Sequence, residues 1–225
     1  MERTRGESPE PRAPIPGAPP RIRGWATREL APNQMLYQEG QLGDRAFLVQ
    51  AGVIKLVTQL PNGRARVLGL HGPGAVLGLA AVMEPDASHH SHSAVTVGQV
   101  RVRWASAGFV RRLRHTDPRA YLELLENHCE TLTTSERWIT ELAAGTTRAR
   151  VARLIRYLSE LQQLAETDQV DLLTCQDVGE IIGASTENTS RSLAALKRAG
   201  TLVHVEGRKE RYRFDRPALE GVALD

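Results

Sequence analysis

The stretch from Thr174 to Gly200, TCQDVGEIIGASTENTSRSLAALKRAG, leaves a folding chain few choices. Thr174, with Asp177 three residues on, has the form of a capping box and starts a short helix, Cys175 to Ile182. Gly183-Ala184 makes a sharp turn. Ser185 is an N-cap for a second helix, whose buried side is formed by Leu193, Leu196 and the neighbouring Ala194. Gly200 ends that helix. Two strand-like runs follow, TLVHV and RYRFD, joined across Glu206-Gly207-Arg208-Lys209 into a hairpin. Helix, tight turn, helix and hairpin make a winged helix-turn-helix. In that motif the second helix enters the major groove of DNA with its N-terminal residues on the base edges.

Upstream the pattern is different. Residues 1–22 carry six prolines within the first 20 positions and little that could be buried, so a disordered tail is expected. Residues 23–116 show short apolar runs broken by turn residues. AFLVQ and GVIKLVT read as strands, LPNGRA as a hairpin turn at Asn62-Gly63, HGPGA as a reversal, and HSAVTVGQVRVRWA as further alternation. Strands at this spacing predict a β-roll or small barrel. Asp117-Pro118 is a helix start signal, an N-cap followed by a proline at the first helical position. The helix it begins should run over residues 117–144. Leu122, Leu125, Cys129, Leu132, Glu136 and Ile139 fall along it at alternating spacings of three and four, a seam of coiled-coil type. That seam predicts a parallel homodimer contact, with Glu136 as its polar member; packing on the chain's own roll is the alternative. Gly145 breaks the helix and opens residues 145–225, which begin with a second amphipathic helix in TTRARVARLIRYLSELQQLAE. The fold expected is α+β: an N-terminal β-roll, a long dimerisation helix, and a C-terminal winged helix-turn-helix.

Taken in order, LYQEGQLGDRAFLVQAGVIKLV, NGRARVLGLHGPGAVLGLAAV and DVGEIIGASTENTSRSLAALKRAGTLV resemble the cAMP receptor protein/FNR family of bacterial transcription regulators. The first two are similar to that family's cyclic-nucleotide-binding type of roll, and the third to its helix-turn-helix. The resemblance runs from about Trp25 to Arg216. It implies a homodimer on a two-fold symmetric double-stranded DNA operator, with half-sites roughly 34 Å apart, and contact with RNA polymerase. Glu187, Ser190 and Arg191 match the residues that meet bases in the FNR branch. A glutamate can accept from cytosine N4, and an arginine fork can pair with guanine O6 and N7. The arrangement implies TTGAT-like half-sites. Thr186 departs from the arginine of the cAMP-receptor branch, and Asn188 stands where this motif usually has threonine. Ser185, Thr186, Asn188, Lys197, Arg208 and Lys209 are the further candidates for DNA contact, mostly with phosphates; Arg198, Arg211 and Arg213 lie close by in sequence. The alternative for Glu187 and Arg191 is an i,i+4 surface ion pair.

The resemblance also says what the roll lacks. In cAMP-binding members a glutamate follows the glycine of a G-E-L segment, and an arginine-serine pair follows some ten residues on. Here the glutamate position is Leu79 and the arginine position is about His92, so cAMP binding of that kind is not expected. FNR itself holds an iron–sulfur cluster on cysteines near the N-terminus. Residues 1–30 contain no cysteine, which excludes that cluster. His71, His89, His90 and His92 are the candidate ligands for a metal or haem, against the plainer reading of DASHHSHS as a polar surface loop. Cys129 is either a thiol switch or a small buried filler.

The net charge of +3 is too small for nucleic-acid binding by global excess, so any such binding needs a local patch. Two cysteines give no disulfide framework. The N-terminal stretch has no apolar core to act as a secretory signal, and no run approaches a membrane span, which points to the cytoplasm. No nucleophile motif, phosphate loop or HExxH is present, and an enzyme is not expected. Three readings remain to be separated: a DNA-binding regulator under an unidentified effector, a haem- or metal-dependent gas or redox sensor regulator, and a regulator needing no effector. A ligand-binding module acting on a protein partner is the rival from outside this class.

Overall fold

The computed structural model describes residues 24–61, 65–83 and 88–224. The tail at 1–22, the Asn62-Gly63 turn and the side chains of Glu136 and Ile139 lie outside the described residues.

Eight strands form two antiparallel four-stranded sheets. The first holds β1 (Ala26–Leu30), β8 (Val100–Ser106), β3 (Arg45–Ala51) and β6 (Val76–Leu77), in that order; the second holds β2 (Met35–Tyr37), β7 (Ser93–Thr96), β4 (Ile54–Gln59) and β5 (Ala65–His71). The period-two alternation of their side chains assigns each face to a core. Leu30, Phe47, Val49, Ile54, Leu56, Ala94, Val100 and Val102 pack between the sheets. The alternating set on the first sheet, Ala46, Leu48, Val76 and Ala105, packs outward instead. It meets α1 (Leu79–Met83), α2 (Ala107–Thr116) and the start of α3 (Pro118–Ala143). The roll is therefore covered by helices that pattern reading alone passes over.

Asp117 caps α3 by accepting from the Ala120 amide at 3.1 Å, with Pro118 opening the helix. Buried Asn127 ties the helix to the roll. Its Oδ1 accepts from the Val76 amide at 2.9 Å and its Nδ2 donates to the Gly74 carbonyl at 2.7 Å. Ala120, Leu124 and Asn127 thus mark the inward face of α3, leaving the opposite stripe uncovered. Leu122 and Leu132 are each 53% exposed, Cys129 is exposed and Leu125 is half-buried. Cys129 is not a buried filler in the single chain.

Gly145, at φ +89°, ends α3 and leads to α4 (Thr147–Leu161). Arg153 of α4 closes the junction. Its Nη1 donates to the carbonyls of Glu141 and Ala144, the exposed end of α3, and its Nε donates to the Ala223 carbonyl. The last third continues with β9 (Gln169–Asp171), α5 (Cys175–Ile182), α6 (Thr186–Arg198), β10 (Leu202–His204), β11 (Arg211–Phe214) and α7 (Arg216–Ala223). The hairpin is widened to a three-stranded sheet, β10-β11-β9, because β9 pairs with β11. The third core joins this unit to the roll: Val53, Val67, Leu70 and Val97 pack with Trp138, Leu142, Val151, Leu154, Ile155, Leu158, Val178 and Ile181.

Candidate nucleic-acid interface

The turn between α5 and α6 is tight for a steric reason. A Cβ on Gly179 would lie 2.8 Å from the Ala184 carbonyl oxygen, so no side chain fits where the two helices meet. Gly183, at φ +66°, takes the left-handed turn, and its amide closes α5 on the Gly179 carbonyl. Ser185 Oγ then caps α6 by accepting from the Asn188 amide at 3.2 Å. Thr189, Leu193 and Leu196 are the buried side of α6. Ala194 is exposed, a correction to the sequence reading. Thr189 takes the inward position because it lies four residues before Leu193 and seven before Leu196 on the 3.6-residue turn.

This geometry turns the polar leading end of α6 outward. Ser185, Thr186, Glu187, Asn188, Ser190 and Arg191 are all exposed. The side chains of Glu187 and Arg191 are 80% and 68% exposed, and Arg191 Nη2 donates to Glu187 Oε1 at 3.0 Å. An exposed i,i+4 pair of this kind contributes little to stability. It does hold a carboxylate acceptor and a guanidinium fork side by side at the helix start, where a major-groove reader presents its base contacts.

The basic residues around the reader divide by what they already touch. Arg208, Lys209 and Arg213 are exposed on the wing. Lys197 is engaged: its Nζ donates to the Tyr212 hydroxyl at 2.8 Å and sits 4.3 Å from the ring centre. Arg211 forks Asp171 with two 2.8 Å bonds, and that bonding raises its already high pKa. Arg211 thus fastens the wing to β9, with its guanidinium committed to Asp171. Sequence reasoning also missed Arg150, whose Nη1 donates to the Ile182 carbonyl at 2.5 Å, at the last turn of α5. The available signal was an arginine set inside the otherwise buried run Ala149, Val151, Ala152.

In the roll, His71 and His90 are buried, His92 is half-buried and His89 is exposed, so the surface-loop reading holds only for His89. His90 stacks on Tyr37 with ring centres 3.9 Å apart, and His92 Nε2 is 3.0 Å from the Tyr37 hydroxyl. Burial raises the pKa of that tyrosine. Among the described residues, no group of three or more histidines, cysteines or carboxylates is placed to hold a metal ion. His71 lies on the inner face of β5 opposite Ile54. Its Nε2 and the Nδ1 of buried-side His128 find no hydrogen-bond partner among the described residues. Leu79, at the position of the cassette glutamate, opens α1 and is fully buried in the core that α1 and α2 share with the first sheet.

Burial, followed by the charges that His92 and His128 would carry, pulls the His71 pKa down to about 4. The unfolded chain therefore binds a proton at His71 below about pH 6.5 that the folded chain refuses. This contribution is intact above pH 6.5 and is lost as pH falls toward 4. The slope is about 1.4 kcal/mol per pH unit in that window. A His71→Leu variant is expected to show a flatter fall in denaturation midpoint between pH 6.5 and 4.5 than the parent protein. An unchanged slope would show that His71 is not the group responsible.

Two family models match the chain: a cyclic nucleotide-binding domain over residues 27–117, and a Crp-like helix-turn-helix domain over residues 149–222. A CRP-like cAMP-activated global transcriptional regulator of Mycobacterium tuberculosis is 24% identical over 200 residues, covering 85% of this chain and 88% of the relative. The nitrogen fixation regulation protein FixK of Rhizobium meliloti is 26% identical over 186 residues, covering 82% and 79%. Among solved structures, FixK2 from Bradyrhizobium japonicum superposes with a TM-score of 0.72 at 20% identity, over 88% of this chain and 96% of that one.

Proposed function

The chain belongs to the CRP/FNR family of DNA-binding transcription regulators, and from that premise we propose that it acts as a homodimer on a palindromic operator with TTGAT-like half-sites. It is a regulator and not an enzyme. The observation that carries the operator reading is the outward set of Glu187, Ser190 and Arg191 on the first turns of α6, with the carboxylate and guanidinium already aligned. Ser185, Thr186 and Asn188 flank them toward the backbone. Arg208 and Lys209 reach from the wing to phosphates, and Lys197 adds to them through its hold on Tyr212. The seam of Leu122, Leu125, Cys129 and Leu132, extended in sequence by Glu136 and Ile139, supplies the dimer contact; of these Leu122, Cys129 and Leu132 are exposed in the single chain. RNA polymerase is the partner at the promoter, and the cytoplasm is the setting.

The roll is the sensing unit, and its effector differs from the cAMP of the mycobacterial relative. Leu79 offers no acceptor for a ribose hydroxyl, and His92, tied to Tyr37, replaces the fixed cation that a cyclic phosphate needs. The binding test is a gel-shift titration at physiological salt on a TTGAT-N4-ATCAA duplex against a scrambled duplex. Equal affinities would remove the operator assignment. The effector test is an absorption spectrum with mass analysis of the purified protein. A Soret band or stoichiometric metal would select the haem or metal reading through His71, His89, His90 or His92. Full operator affinity in ligand-free protein would select a regulator without effector.

A further inference from the structure

β4 carries an anomaly. Its inner face is apolar, Ile54 and Leu56, and its outer face meets the DNA-binding unit through Val57 and the neighbouring strand's Leu70. Lys55 occupies that outer face, directly across from Leu70 in the ladder. Its side chain is only 10% exposed. A lysine in such a place is costly without partners.

The partners come from α5, more than 120 residues away in the chain. Lys55 Nζ donates to Asp177 Oδ1 at 3.1 Å and to Glu180 Oε2 at 3.0 Å. Each carboxylate is oriented by a second bond: Thr174 Oγ1 donates to Asp177 Oδ2 at 2.7 Å, and Gln176 Nε2 donates to Glu180 Oε1 at 3.2 Å. Asp177 and Glu180 are three residues apart on one helix face, where like charges repel. The ammonium that faces them across the domain boundary removes that repulsion. Burial alone would lower the Lys55 pKa, but Glu180 and Asp177 outweigh it and hold the group charged.

Two further contacts pin the same boundary. The Tyr157 hydroxyl of α4 donates to the Leu70 carbonyl at 3.2 Å. Gly72 gives α4 room to approach, since a Cβ there would lie 2.8 Å from the Leu161 carbonyl oxygen. The dock leaves the base-reading end of α6 exposed. Its effect is therefore on direction. Because Gly179 locks α5 to the turn before α6, a hold on α5 is a hold on α6.

We infer that Lys55 is a positioning residue for DNA recognition, supplied by the sensor roll: its contacts with Asp177 and Glu180 fix the angle of the recognition helix relative to the roll. Operator binding needs two recognition helices held at one separation, so an untethered unit loses spacing discrimination as well as affinity. The inference rests on the palindromic operator proposed above for one of its two readouts.

The test uses the full-length protein in four forms: parent, Lys55→Met, the pair Asp177→Asn with Glu180→Gln, and all three together. Hydrogen exchange at Val178–Ile182 needs no DNA and is expected to rise about tenfold in Lys55→Met, a shift of about 1.4 kcal/mol in local opening. Gel shifts compare the operator with one carrying two extra central base pairs. The parent is expected to prefer the first by about a hundredfold and Lys55→Met by less than about tenfold. The triple variant should resemble either partial variant, because the groups act as one unit. Unchanged exchange at α5 in Lys55→Met, or additive effects in the triple variant, would overturn the inference. A parent protein blind to the palindrome would instead overturn the operator assignment, while the exchange result would still judge Lys55.

Discussion

Replacing Arg191 with alanine is expected to lower affinity for the TTGAT-type palindrome by at least about thirtyfold, with scrambled duplex bound almost as before. A bidentate arginine–guanine contact is worth about 1–3 kcal/mol of discrimination, and a symmetric dimer makes it twice, which sets the range at about 2–6 kcal/mol. Folding should be unaffected. The side chain is 68% exposed and its ion pair with Glu187 is on the surface, so the thermal midpoint should stay within a degree or so. Arg191→Lys separates the two roles the residue could have. A lysine keeps the charge but loses the fork. If Arg191 reads a base, lysine fails nearly as badly as alanine on the operator. If it meets only phosphate, lysine restores most of the affinity. In that case alanine weakens specific and scrambled DNA equally, and the salt dependence falls by about one contact per protomer. That second pattern would remove Arg191 from the base-reading set.

Several helix starts of this protein were legible from the side chain that caps them. Asp117, Thr174 and Ser185 each accept from the amide three residues on, and each opens a helix at the next residue. Capping is local chemistry, so a local reading finds it. Helices α1, α2 and α7 and strand β9 were not read in the same way. Ser106 and Asp215 cap α2 and α7 in the same way, accepting from the Phe109 and Ala218 amides, but neither signal was read; α1 has only five residues, and β9 exists as a strand only because Arg211–Phe214 pairs with it. The outward residues of α6 were readable from the family resemblance and the helical period. The support beneath them was not. Lys55 alternates with apolar neighbours along β4, a pattern that a half-exposed strand shows equally well. Only the third dimension sets α5 over it. Lys197, in the last turn of α6, and Arg211, on the wing, look like any exposed cations in sequence, yet Tyr212 and Asp171 already hold them. His71 was singled out for its type, but its burial on the inner face of β5 follows from the register with Ile54, which sequence does not specify.

Leu132→Asp is expected to convert the protein from a dimer to a monomer and to reduce operator affinity by more than about a thousandfold. α3 spans 26 residues, about 39 Å at 1.5 Å per residue, and among its described side chains the buried ones lie on one face. Ala120, Leu124 and Asn127 are buried against the roll, whereas Leu122 and Leu132 leave more than half their surface to solvent. Burying one such leucine is worth about 1.5–3 kcal/mol, and a two-fold contact buries two copies. The aspartate removes both copies and sets like charges opposite one another across the seam, so the loss exceeds the burial term. The inward face, including the Asn127 bonds to Val76 and Gly74, is untouched, so the monomer should keep its far-ultraviolet spectrum and a cooperative transition. Sedimentation velocity checks the mass directly: the parent near twice 24.8 kDa, the variant near 24.8 kDa. The fall in DNA affinity then follows from linkage alone, because a lone protomer reaches one half-site and forfeits the second reader's contribution. A variant that stays dimeric at micromolar concentration would place the interface elsewhere on the chain. A variant that becomes monomeric yet still binds the full palindrome tightly would show that recognition does not depend on the pairing of two readers. The two measurements separate the seam on α3 from the symmetric use of α6.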